Sequence, residues 1–117
     1  MTALQKLKDI CDSIGVKSMT ADYADVNDSI PESYVVLVPI ADELDEYADD
    51  FPTVERNSVR LSIYTKRNYT KLRKRIRDAL IENGVQITGM SFIEKEQDTG
   101  YYHYEIDVEY IEFETEE

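Results

Sequence analysis

His103 and Glu105 are two residues apart in the run YYHYEIDVEY, residues 101–110. Two residues apart on a strand put both side chains on one face, so a histidine–carboxylate pair is the first chemistry to consider. The chain has no other histidine. No serine or cysteine stands in a nucleophile motif, so an exposed strand histidine without a catalytic role is the stronger reading. The run DELDEYADD, residues 42–50, is the second candidate. Asp42, Glu43, Asp45, Glu46, Asp49 and Asp50 could bind a hard cation. They lack the alternating-oxygen spacing and the glycine of a calcium loop, so a solvated or interfacial segment is favoured over a metal site. Cys11 is the only cysteine. It lies on an amphipathic stretch, which reads as a small core residue, and it cannot form an internal disulfide. No catalytic, cofactor-binding or metal residue is assigned, and the chain is not read as an enzyme.

Charge is the more informative signal. The chain of 117 residues has a net charge of −12. Yet residues 56–77 hold nine bases and no acid, so with +9 in that segment the remainder carries −21. The acidic balance opposes general nucleic-acid binding, which depends on neutralising phosphate. Opposite patches on one chain suit contact with a second copy, positive to negative. The stretch YTKLRKRIRDAL, residues 69–80, carries most of the basic side chains. On a helix, Tyr69, Leu72, Ile76, Ala79 and Leu80 form one apolar stripe. Lys71, Arg73, Lys74, Arg75 and Arg77 spread around the rest rather than forming the single row that a groove-reading helix presents. Ile81 lies nearly opposite the stripe. Arg73, Lys74, Arg77 and Ile81 are therefore candidate subunit-contact residues, with the six acids of 42–50 as candidate mates. A plain solvated helix face is the competing reading.

These residues need elements to position them. Leu4, Leu7, Ile10, Cys11 and Ile14 predict a helix over 3–14, capped by Thr2 and ended by Gly15. Residues 16–32 are polar and read as a long connection. The run YVVLV, 34–38, reads as a central strand covered on both sides and limited by Pro39. Residues 41–55 read as an exposed acidic loop. SVRLSIYT, 58–65, alternates as a half-buried strand. A helix over 70–83 follows, with Thr70 as N-cap and Asn83-Gly84 as stop. Residues 85–95 read as a strand in which a bulge near Gly89 switches facing. QDTG, 97–100, reads as a hairpin turn, and 101–113 as the longest strand. The expected fold is α+β, in the order α-β-β-α-β-β. It has about four mainly antiparallel strands, flanked by two helices, in one domain over 1–117 with residues 112–117 frayed. No long apolar run marks a leader or a membrane span, so an intracellular soluble protein is expected.

Three stretches in this order carry a resemblance: YVVLVPI, LSIYTKRNYTKLRKRIRDALIENG and DTGYYHYEIDVEY. Together they resemble the small tail-terminator or tail-completion proteins of long-tailed phages and prophages, over about Tyr34 to Tyr110. The resemblance implies a mainly antiparallel sheet flanked by helices and no catalytic residues. It implies a structural protein of virion assembly, working in the phage tail and in the host cytoplasm while the tail is built. Such proteins form a ring, commonly a hexamer, at the head-proximal end of the tail tube. The ring ends tube polymerisation and joins the tail to head-completion proteins. DNA passes through the lumen as cargo, and an acidic lumen would keep its phosphates from sticking. The partners implied are a second copy, the tail-tube protein and a head-completion protein, with no cofactor and no membrane. Two alternatives stand beside this: another neck or minor tail protein of the same fold, and an acidic regulatory or DNA-mimic protein.

Overall fold

Two helices in this chain stop in the same way, and each then enters a strand at an outer edge of the sheet. α1 spans Ala3–Ser13. The Thr2 hydroxyl accepts from the Gln5 N–H at 3.1 Å, which satisfies one of the free donors of the first turn. Gly15 sits at φ 74°, a left-handed position that favours glycine. The Gly15 N–H reaches Asp12 O and the Val16 N–H reaches Cys11 O, closing the helix end. α2 spans Tyr69–Glu82 and ends alike. Gly84 has φ 74°, and the Gly84 and Val85 N–H groups bond Ile81 O and Leu80 O at 3.0 Å each. Val16 and Val85, just after these glycines, are both buried. The α2 N-cap is Asn68, not Thr70: the Asn68 Oδ1 accepts from the Thr70 and Lys71 N–H groups at 3.0 and 3.2 Å. Asn68 is the extended residue just before the helix, whereas Thr70 is already its second residue.

The computed structural model describes residues 2–20, 31–48 and 51–113. Its strands are β1 (Lys17–Thr20), β2 (Ser33–Ala48), β3 (Phe51–Thr65), β4 (Gln86–Lys95) and β5 (Tyr102–Phe113). They form one five-stranded sheet in the order β1-β2-β3-β5-β4. β1 runs parallel to β2, and every other pair is antiparallel. The α+β class with two helices is as expected. The strand count and element order are corrected: the order is α-β-β-β-α-β-β, and the sheet is mixed. The added strand, β1, lies in the segment taken as a connection. It has only four residues, and its buried residue is Ser18, so no apolar alternation announces it.

A second correction concerns the acidic segment. Residues 41–55 are not a loop. β2 runs on past Pro39, β3 begins at Phe51, and the two pair from Ser33↔Thr65 out to Ala48↔Phe51. Pro39 stands where the ladder breaks register, between Pro39 and Ala41, and just beyond the last residue that β1 covers. Bulges and free edges are the places in a sheet that tolerate a missing N–H. Asp49 and Asp50 lie outside the described residues, as do 114–117 of the expected frayed tail.

Both helices pack on one face of the sheet. Leu7, Ile10 and Cys11 of α1 join Leu72, Ile76, Ala79 and Leu80 of α2 in one buried cluster. The sheet contributes Val35, Leu37, Val59, Leu61, Ile63, Tyr104, Ile106 and Val108. The run YVVLV is therefore covered fully on one side only: Val36 and Val38 face the other way and are half-buried. In β4 the register slips between Ile87 and Gly89, as the glycine suggested. The slip lets Ile87 and Met90, of opposite parity, both pack on the core. A second slip, between Phe92 and Glu94, has no such signal. The β4–β5 turn closes with Glu96 N–H to Tyr101 O at 2.7 Å and Gly100 at φ 78°.

The helical layer is shorter than the sheet. Helices of 11 and 14 residues span about 16 and 21 Å, whereas strands of 15 and 16 residues span about 50 Å. The core cluster reaches Leu37 on β2 and Val59 on β3 and no further. Beyond it β2 and β3 continue as an arm, with β5 still paired to β3 out to Val54↔Phe113, and the molecule measures 54 Å along its longest axis.

Candidate functional site

The basic side chains of α2 divide into those the chain itself engages and those it leaves free. The Arg73 guanidinium lies 5.6 Å from the centroid of the Tyr104 ring, at the border of the core. The Arg75 guanidinium donates to Ile14 O at the end of α1. Arg77 pairs with its neighbour Asp78 at 3.0 Å. Lys71 and Lys74 are exposed and form no ion pair among the described residues. Ile81 is 59% exposed. At 100° per residue, Lys74 and Ile81 fall about 20° apart on the face opposite the core stripe. The outer face of α2 thus holds Ile81 beside Lys74, with Asp78, which pairs with Arg77, and Lys71 on its other side.

The bases on β3 are spent inside the chain. Arg56 pairs with Glu109 at 3.2 Å. The Arg60 Nε lies 2.8 Å from both Glu105 Oε2 and Asp107 Oδ1. The Asp107 hydrogen bond, then the charges of Asp107 and Glu105, hold the Arg60 proton more tightly than usual. Arg67 pairs with Glu32 at 2.6 Å. Of the +9 segment, therefore, only part is available to a partner.

The arm carries the opposite sign. Asp42 and Glu43 are exposed, and the Asp42 carboxylate accepts from Asn57 Nδ2 at 2.6 Å. Glu43 stands opposite Arg56 across the ladder. Leu44 is 48% exposed and Ile40 52%. Pairing opposite Asn57 and Glu55 puts Asp42 and Leu44 on the helix side of the arm, beyond the reach of both described helices. Asp45 and Glu46 follow in β2, and Asp49 and Asp50 fall outside the described residues. Leu44 and Ile40 were missed in the sequence because single apolar residues among acids look like strand filler.

The helix-free face of the sheet holds the remaining polar chemistry. Tyr34 and Tyr64 stack at 5.0 Å, and Tyr101 meets both edge-on. The Tyr101 hydroxyl donates to Pro31 O at 2.7 Å, and Lys66 Nζ lies 4.9 Å over its ring. Burial, then neighbouring groups, pushes the Tyr34 and Tyr64 phenols above their ordinary range. His103 stacks on Tyr64 at 4.4 Å, and its Nε2 is buried without a hydrogen-bond partner among the described residues. Glu105 is engaged by Arg60, so the structure does not build the histidine–carboxylate pair that the spacing allowed. No group of three or more His, Cys, Asp or Glu side chains that could hold a metal ion occurs among the described residues. No helix among them is long and apolar enough to cross a membrane.

Comparison with models of known protein families and with curated proteins found no match for the chain.

Proposed function

We propose that the chain is a ring-forming structural protein of a long-tailed phage tail, a tail-terminator or tail-completion protein. It ends growth of the tail tube and joins tail to head, with the tail-tube protein and a head-completion protein as its neighbours. The observation that carries this reading is the presence of unlike surfaces on one sheet-and-helix frame. A ring is closed by heterologous contacts, in which each subunit offers one surface forward and a different one backward. The outer face of α2, with Lys74 and Ile81, and the acidic arm, with Asp42 and Leu44, are such a pair. The resemblance over 34–110 supplies the setting. The chemistry is that of association: the reading assigns no catalytic step.

Light scattering on the purified chain, alone and mixed with the tail-tube protein encoded beside it, tests the proposal. The expected result is a closed oligomer, stabilised by tube protein, together with tubes that stop growing when the chain is added. A monomer under both conditions, with tube growth unchanged, would falsify the reading.

A further inference from the structure

Among the described residues, neither helix extends over the arm as it does over the rest of the sheet. The arm's helix side carries Asp42, Leu44, Glu55 and the buried Asn57; the core cluster ends at Leu37 and Val59 on β2 and β3, with Tyr110 of β5, opposite Asn57, packed at its margin. A sheet face with an exposed leucine and unbalanced carboxylates is an unfinished sandwich. The outer face of α2 is unfinished in the complementary sense: an exposed isoleucine beside an exposed lysine, with no element packed on it. We propose that α2 of a second copy completes the arm. Its Ile81 packs on Leu44, and its Lys74 meets Asp42.

The dimensions agree. Ile81 and Lys74 are seven residues apart, about 10 Å along the helix axis. Leu44 and Asp42 are two residues apart, about 7 Å along the strand. The difference is within the reach of a lysine side chain. Charge contributes through Lys74, which meets Asp42, while Asp78 beside Ile81 is held by Arg77. The contact joins unlike surfaces, so each subunit uses both halves and the chain of contacts propagates in one direction until it closes. In a closed ring every subunit is held twice, which reinforces a modest contact by effective concentration.

The inference rests on the self-assembly reading above, and its test separates the two. Cys11 is buried and its thiol is suppressed, so a cysteine placed on the surface is the only reactive one. Leu44→Cys and Ile81→Cys are both at exposed sites. Each variant alone, and an equal mixture, are treated with copper phenanthroline and run on a non-reducing gel. The expected result is a disulfide-linked dimer in the mixture and none in either variant alone. Dimers from one variant alone indicate a like-to-like contact and overturn the proposal. Oligomers by light scattering without any cross-link in the mixture also overturn it, while leaving ring formation standing. A charge swap gives an independent readout. Lys74→Glu should weaken assembly at least tenfold, and adding Asp42→Lys to the same chain should restore it; a double variant as weak as the single one counts against the contact.

Discussion

Cys11 shows how much a single side chain reports. The stripe at Leu4, Leu7, Ile10 and Ile14 already pointed it inward, and it is buried in the core cluster. Burial, then the nearby charge of Asp12, pushes its thiol from an ordinary 9.0 up to about 11. A raised pKa in the folded state means that the native protein keeps a proton the unfolded chain loses. The contribution is complete below pH 9 and is lost as pH rises towards 11, amounting to about 2–3 kcal/mol. Tyr34 and Tyr64, also raised, add loss of the same sign above their ordinary range. Urea melts at rising pH should therefore show a falling midpoint, with a shallower fall in Cys11→Ala. An identical slope in that variant would remove Cys11 from the account. The other residue-level expectations fared according to reach. The alternation of the last strand correctly put His103, Glu105, Asp107 and Glu109 on one face. It could not say that Arg60, 45 residues upstream of Glu105, would take up that carboxylate. Likewise Arg73, chosen from the sequence as a contact residue, spends its charge on Tyr104, which leaves Lys74 as the cleaner probe.

Among the elements, the helices were legible and the sheet's margins were not. Periodicity and glycine stops placed α1 and α2 within a residue or so, because both signals are local. The cap of α2 was misplaced by two residues, which is itself testable. Asn68→Ala should cost about 1 kcal/mol, and lower Tm by about 4 °C for a domain of this size. Thr70→Ala, whose side chain caps nothing, should move Tm by far less. Equal losses in calorimetry would contradict the Asn68 cap. β1 and the arm were missed for a shared reason. Both depend on partners far away in sequence: β1 on Tyr34–Leu37, and the acidic half of β2 on residues 51–58. Acid-rich DELDE has poor strand propensity, and cross-strand pairing overrides it. The parallel edge strand and the projecting arm are also the elements that turn a small sandwich into one with two unlike ends.

At the scale of the molecule, a net charge of −12 is compatible with self-association because the bases are gathered on one segment. Several of those bases are neutralised within the chain, so the attraction between copies rests on few charges and is screened by salt. Self-association measured by sedimentation should weaken as salt rises from roughly 0.05 M to roughly 0.5 M, where the screening length falls well below 10 Å. Association that strengthens with salt would point to an apolar interface instead. The topology has one more consequence. β5 is made after the other four strands, yet it lies inside the sheet, between β3 and β4. Until it leaves the ribosome, β4 has no neighbour and β3 has one side open. The nascent chain therefore cannot lay down this sheet strand by strand. It must hold α2 and β4 in waiting and close the sheet in a single late step, before which unpaired β4 and the open edge of β3 stand exposed to chaperones and to other chains.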